Sequence, residues 1–360
     1  MRGEILDPYS KIMETLGFPG SELLRRILSF LMDEEEARVA AALPGSVDEV
    51  ASRTGLPVER VRRVLDGLFF RGVVFPRDFK VRDYFRFARD IIQLHDATLA
   101  TRQLDPERGR EFAALWKEFG DKEYYPKFGQ LIKATGMKVW RVLPAYKAVK
   151  DSPDLLPCED IREILKANSR IAVVPCSCRT VSRLAGDGCR YTDESKTWHC
   201  IQVGRGAEYV LERGSGVELS LEEALKLIDK IEEDGLIHTW GNTAEMSGRG
   251  LTVNCNCCSD CCEFFMFLKG ANIPVTKAAL EKSRWQAFIN EEKCKGCQTC
   301  VERCHFEAIE MHKPEGSRKY KARVIPENCF GCGVCAVGCP EGAIMLKAVR
   351  PPEHIPGAKT

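Results

Sequence analysis

Eight cysteines near the end of the chain have the type and spacing of metal ligands. Cys294, Cys297, Cys300 and Cys304 follow C-x2-C-x2-C-x3-C, and Cys329, Cys332, Cys335 and Cys339 repeat it, with Pro340 after the last. Thiolates at i, i+3 and i+6 wrap one face of a cubane 4Fe-4S cluster, while the fourth lies beyond a bend and reaches the other cluster. The spacing therefore predicts one cluster on Cys294, Cys297, Cys300 and Cys339. It predicts a second on Cys329, Cys332, Cys335 and Cys304. Gly296, Gly331 and Gly333 inside the loops let backbone N–H groups approach the sulfurs. Zinc sites of four cysteines are the competing occupant, but they rarely interleave eight ligands in this way.

A central group of nine cysteines precedes these: Cys176, Cys178, Cys189, Cys200, Cys255, Cys257, Cys258, Cys261 and Cys262. Nine thiols suffice for one four-cysteine site with spares, or for two sites sharing a loop. Further Fe-S clusters are the favoured occupant, with zinc or a redox-active dithiol as alternatives. The neighbours Cys257-Cys258 and Cys261-Cys262 cannot each put both thiolates on one metal without strain, so one of each pair, with Cys255, is expected to ligate. His199 beside Cys200 reads as a core or supporting histidine before it reads as a ligand. Cys158 stands alone and reads as a small buried residue.

Residues 284–348 resemble the bacterial two-cluster ferredoxin family on the strength of the repeated eight-cysteine run. One position departs from the family: His305 stands where proline usually follows the fourth cysteine. Residues 140–348 further resemble a family of anaerobic, ferredoxin-like 4Fe-4S proteins. That likeness rests on Pro175-Cys176-Ser177-Cys178-Arg179, His199-Cys200, Gly235-Leu236-Ile237-His238 and Cys255-Asn256-Cys257-Cys258. It implies electron transfer and defines no substrate. The Cys-Cys-Gly signature of heterodisulfide-reductase-like subunits is absent.

The elements that must position these residues form an α+β, multidomain pattern. Four parts are expected: a winged-helix-like domain at 1–82, a helical connector at 83–139, a cysteine-rich α+β domain at 140–283, and the two-cluster domain at 284–360. Ile171-Ala172-Val173-Val174 reads as a buried strand delivering Cys176 and Cys178 to its end. Ser220-Leu221-Glu222-Glu223 is a capping box opening an amphipathic helix that Gly235 ends, and Leu236 to Thr239 reads as a strand. Between Cys304 and Cys329 the sequence suggests a helical turn at Ala308–Met311, a Pro-Glu-Gly-Ser turn and a hairpin with Tyr320–Ile325. In the front part, residues 21–31 and 34–42 read as helices, Ser46-Val47-Asp48-Glu49 as a capping box, and Val58 to Phe70 as a helix after Pro57. Gly72 to Phe75 and Phe79 to Val81 are expected to form a hairpin wing. Helices are expected at Tyr84–Thr101, Pro106–Phe119 and Phe128–Thr135.

Composition narrows the function classes. The 53 Lys and Arg residues nearly cancel 52 Asp and Glu, so no single-sign field exists to drive a nucleic-acid coat. Residues 1–110 carry 18 basic and 18 acidic side chains, which gives the winged-helix-like region no general footprint for phosphates. Arg60, Arg62 and Arg63 lie where DNA readers place contacts, but a protein-docking or dimerisation role is preferred. No stretch is long and apolar enough for a membrane span, and the first residues lack an apolar signal core. A reducing cytoplasm is therefore expected, where abundant cysteine means metal binding or redox chemistry more often than disulfides. The resulting expectation is an electron-transfer protein or redox subunit. It would pass single electrons between its C-terminal clusters and a central metal site or a partner oxidoreductase, as a homodimer or in a larger complex. A redox-responsive transcription regulator is the alternative, and an enzyme with a catalytic central thiol is a third reading.

Overall fold

The computed structural model describes residues 7–101, 106–191, 193–247, 252–275 and 279–358. The chain is a mixture of helix and sheet, and it divides into two compact units, each assembled from separated stretches. The first comprises Met1–Lys122, Val174–Trp198 and Glu208–Val217; the second comprises Glu123–Val173, His199–Ala207 and Glu218–Thr360.

In the first unit the helices Glu22–Leu31, Glu34–Ala41, Val47–Thr54 and Val58–Arg71 follow one another. Their ends are chemically marked. Asp33 with Glu36 and Ser46 with Glu49 form reciprocal capping boxes, and Gly55 and Gly72 close two helices in the left-handed conformation. Strands β1 (Gly45–Ser46), β2 (Val74–Pro76) and β3 (Tyr84–Phe87) form an antiparallel sheet in the order β1-β3-β2. The second strand of the hairpin is thus Tyr84–Phe87 and not Phe79–Val81. The Asp78 carboxylate accepts from the Lys80 and Val81 N–H groups and turns that segment into a loop. The expected helix from Tyr84 to Thr101 is correspondingly shorter. Asp90 caps it through the Gln93 N–H at 2.7 Å, so it spans Ile91–Leu99, and the aromatic run before it pairs as strand.

The separated stretches join this unit through specific contacts. Tyr209 stacks on Phe75 with ring centroids 4.6 Å apart. Lys117 pairs with Asp187 at 3.1 Å, and the Ser177 hydroxyl donates to Asp96 at 2.5 Å.

The second unit contains a seven-stranded sheet. Its strands are β4 (Trp140–Val142), β5 (Ile171–Val174), β6 (Cys200–Val203), β7 (Val217–Leu219), β8 (Ile237–Gly241), β9 (Val253–Cys257) and β10 (Leu280–Glu281), in the order β10-β4-β8-β9-β6-β5-β7. The pairs β4–β8, β8–β9 and β6–β9 are antiparallel, and β10–β4 is parallel. Beyond the sheet, β11 (Trp285–Ile289) pairs with β14 (Ile344–Ala348), and β12 (Ile309–His312) with β13 (Lys321–Val324). The anticipated helical turn at Ala308–Met311 is strand instead. Ile309 to His312 sit directly opposite Val324 to Lys321, so the hairpin begins five residues after Cys304.

A buried carboxylate ties the helix Leu221–Asp234 to the sheet. Glu232 is fully buried, accepts from the Tyr146 and Lys147 N–H groups at 2.6 and 3.1 Å, and lies 3.5 Å from His238 on β8. Burial pushes its carboxyl up, but the His238 imidazole and the two backbone donors outweigh this and hold it below the ordinary glutamate value. A depressed folded value means that this stabilisation is fully present above the unfolded value of 4.5 and is lost as pH falls through the folded one. Glu232→Gln is expected to lower stability at neutral pH and to flatten the acid limb of a Tm-versus-pH curve. An unchanged acid limb would assign the acid sensitivity elsewhere.

Candidate metal centres

The C-terminal region repeats one local design twice. The third cysteine of each triplet sits in a short helix, Cys300 in Thr299–Arg303 and Cys335 in Val334–Val337. The residues two and four positions after Cys294 and after Cys329 all have positive φ: Gly296 at 75°, Gln298 at 68°, Gly331 at 70° and Gly333 at 76°. These left-handed positions let an i, i+3, i+6 run of thiols curl onto one side. Three of them are legible as glycine. Gln298 is not, because a glutamine carries no signal for φ > 0.

The sulfurs fall into two sets. Cys294, Cys297, Cys300 and Cys339 line one cavity with Gly296, Gln298, Ala322 and Ile344. Cys339 comes from the other half of the repeat, so the cavity draws three ligand candidates from one run and the fourth from the second. Burial pushes the Cys300 thiol up to about 11, and the charges of Cys294, Cys297 and Cys339 add to the shift. In the second set, burial pushes Cys335 well up, reinforced by Cys332, Cys304 and Cys329. Cys332 and Cys304 are also raised, chiefly by burial. Cys297 differs. It is exposed, and hydrogen bonding from Thr299 lowers its thiol value. Clustered buried thiols with raised values stay protonated unless a cation offsets their charge, and a coordinating metal does this outright. The donor set therefore fits iron–sulfur clusters. Backbone N–H groups reach the sulfurs, among them Ala322 to Cys294 at 3.5 Å, Ala343 to Cys339 at 3.4 Å and Ala308 to Cys304 at 3.3 Å. Such bonds are a main lever on cluster potential.

Residues 287–346 match the family model of the 4Fe-4S dicluster domain. The match spans 60 of the 360 residues, and no curated protein and no solved structure matches the chain. This dicluster domain implies iron–sulfur clusters and supports iron–sulfur electron transfer as the general activity of the region.

Gly331 is where the loop comes closest to other backbone. A Cβ there would run into the Trp285 carbonyl oxygen and the Ser283 hydroxyl, and the residue already has φ 70°. The conformation alone costs a residue other than glycine about 1–3 kcal/mol, and the opposing carbonyl is backbone that cannot swing aside. Gly331→Ala is expected to cost at least ~2 kcal/mol by thermal or denaturant unfolding, whereas Gly342→Ala, with open space around its Cβ, should cost less.

The central cysteines lie in both units. Cys176, Cys178 and Cys189 belong to the first; Cys200, Cys255, Cys257, Cys258, Cys261 and Cys262 belong to the second. β5 ends just before Cys176, which caps the helix Ser177–Ala185. The Cys176 thiol is driven well up by its hydrogen bond with Cys178 and by burial. Cys189 is buried and accepts from the Tyr191 N–H at 3.4 Å. In the second unit, Cys200 on β6 accepts from the Gln202 amide at 3.4 Å. Cys255 and Cys257 are on β9, and the Cys258 and Cys261 sulfurs stand 3.7 Å apart in the turn that follows. Cys257 and Cys262 lie in an apolar cluster with Phe265 and Leu268 that also holds Cys294, Cys300, Cys329 and Cys335. His199 is buried, with Nε2 4.0 Å from Asp234. Its carbonyl accepts from Asn256, whose side-chain oxygen meets His238 Nδ1 at 2.6 Å. Cys158 is buried in the 3-10 turn Pro157–Glu159.

Sequence reasoning missed the contacts that wrap the Cys304 set. The Ala145 N–H donates to the Cys332 carbonyl at 2.9 Å. Arg303 donates to the Val334, Glu233 and Glu232 carbonyls, each at 2.9 Å. Phe306 stacks on Phe330 at 4.1 Å and meets Phe265 at 5.6 Å. These partners are 24 to 187 residues away in sequence, beyond the reach of any local pattern.

Proposed function

We propose that this protein is a two-cluster electron carrier, or the electron-carrying subunit of an oxidoreductase. In this reading Cys294, Cys297, Cys300 and Cys339 hold one 4Fe-4S cluster, and Cys329, Cys332, Cys335 and Cys304 hold the other. The observation that carries the proposal is the cavity lined by three thiols of one run and the fourth thiol of the other. An interleaved set of this kind is what two neighbouring cubanes require. The exposed Cys297 makes the first cluster the port for a partner protein, and the second set, in which Cys329 and Cys335 are buried and Cys304 and Cys332 half-buried, makes the other cluster an internal relay. The central cysteines supply a further metal site or sites on the inner side. Thiolate ligands suit iron and zinc, and iron would extend the path. Single electrons come from or go to a redox partner, which supplies any two-electron chemistry.

The same reading takes residues 1–82 as a winged-helix-like module used for docking or for pairing with a second copy. The order β1-β3-β2 beside the helices supports the likeness. Two of the three arginines available to a nucleic acid are engaged: Arg60 with Glu35 at 2.6 Å, and Arg63 through Nε with the Glu59 carbonyl at 3.3 Å. This favours a protein partner over DNA. Among the described residues no helix is long and apolar enough to cross a membrane.

Iron analysis and EPR of anaerobically purified protein test the central claim. Two cubanes require about eight irons per chain and a reduced spectrum broadened by two interacting spins. Fewer irons in fully loaded protein would sink the assignment.

A further inference from the structure

The turn Cys258-Ser259-Asp260-Cys261 joins β9 to the helix Glu263–Gly270. Its two sulfurs are buried and 3.7 Å apart. A disulfide requires about 2.05 Å, so they are not bonded to each other. A tetrahedral ion with metal–sulfur bonds of about 2.3 Å holds two of its sulfurs roughly 3.8 Å apart. In a cubane, four cysteines serve four irons, so each sulfur sits on its own metal atom and the sulfurs spread around the cube. The observed spacing therefore matches two ligands on one ion. The rest of the turn is braced for this. Lys269 Nζ donates to the Ser259 carbonyl at 3.1 Å. The Ser259 N–H and hydroxyl meet His305 Nδ1 at 3.2 and 3.1 Å, and His305 Nε2 meets the Gly235 carbonyl at 2.8 Å. The carbonyl can only accept and the backbone N–H can only donate. The network thus assigns a neutral imidazole with its proton on Nε2. A proline after Cys304 could make neither bond, so the departure at this position acquires a structural role.

We propose that Cys258 and Cys261 chelate a single tetrahedral ion of the thiolate-binding class, iron(II) or zinc, and that His305 is the positioning residue for the chelating turn. The inference goes beyond the two-cluster assignment and involves none of its eight cysteines, so the two can fail separately.

Iron and zinc per chain, measured on full-length protein purified anaerobically, test it. Cys258→Ser and Cys261→Ser are each expected to lose one metal atom per chain, iron or zinc, while the cubane EPR signals persist. Loss of two or four irons, or of no metal, overturns the proposal. Should either variant fail to fold, EDTA extraction of the wild-type chain with iodoacetamide mapping replaces it. Alkylation of Cys258 and Cys261 should track release of one ion, and alkylation without release overturns the proposal. For the histidine, EDTA should extract that ion at least tenfold faster from His305→Phe than from wild type. His305→Gln, which keeps a donor and an acceptor on one side chain, should remain near wild type. Equal rates in all three proteins remove the positioning role.

Discussion

Cys339→Ser is expected to abolish the cluster built on Cys294, Cys297 and Cys300 while leaving the cluster built on Cys329, Cys332 and Cys335. Cys304→Ser should do the reverse. Each variant should fall from about eight to about four irons per chain, and each should lose the spin–spin broadening that requires two reduced clusters. The crossing is the informative part. If each run held its own cluster, Cys339→Ser would instead damage the Cys329 set. The geometry predicts the crossed outcome, because Cys339 lines the cavity of Cys294, Cys297 and Cys300, and Cys304 is a charge neighbour of Cys335 and Cys332. The two losses should also differ in consequence. The Cys294 set includes the exposed Cys297, so its loss should abolish exchange with an external partner. Loss of the Cys304 set should leave that exchange but cut transfer inward. Stopped-flow reduction by a protein donor, followed at the cluster absorbance, separates the two.

The second large effect is expected at an ion pair that contains no cysteine. Glu159 and Arg284 form a buried ion pair at 2.8 Å, with side-chain exposures of 1% and 6%. The other Glu159 oxygen accepts from Trp285 Nε1 at 3.1 Å. Trp285 opens β11, and its carbonyl faces Gly331. One carboxylate thus anchors the strand against which the second thiol loop rests. Removing one partner of a buried pair leaves an uncompensated charge and costs about 3–5 kcal/mol. Glu159→Ala should therefore lower stability by that order in denaturant titration, and cluster loading should suffer with it. Replacing both partners, Glu159→Leu with Arg284→Met, should cost less than Glu159→Ala alone, since no orphan charge remains. A double variant at least as unstable as the single one would mean that the loss comes from packing.

What could be read from the sequence depended on how local its cause was. The capping boxes Ser46–Glu49 and Ser220–Glu223 are read from four residues and form as expected. So do the strand Ile171–Val174 and the helix Pro106–Phe119, each carried by its own composition. The errors have the same logic. Tyr84–Phe87 has aromatic strand-formers beside a helix-forming stretch, and only pairing with Val74–Pro76 and Gly45–Ser46 decides its state. Ile309–His312 likewise becomes strand because Lys321–Val324 lies opposite. The first candidate centre was legible because its spacing is chemical. Its surroundings were not, since Ala145, Glu232, Ser259 and Phe265 reach the Cys304 side through folding alone. The central cysteines illustrate both limits. Their density signals chemistry, but only the fold brings the Cys258 and Cys261 sulfurs to 3.7 Å.

The threading of the two units has a consequence for synthesis. The first unit draws on residues up to Val217, and the second already owns Glu123–Val173. A ribosome moving at about 5–20 residues per second therefore exposes more than fifty residues of the second unit before the first has all of its chain. Neither unit is one continuous stretch of chain. Expression of residues 1–122 alone would deliver a fragment lacking the stretches that carry Ser177, Asp187 and Tyr209.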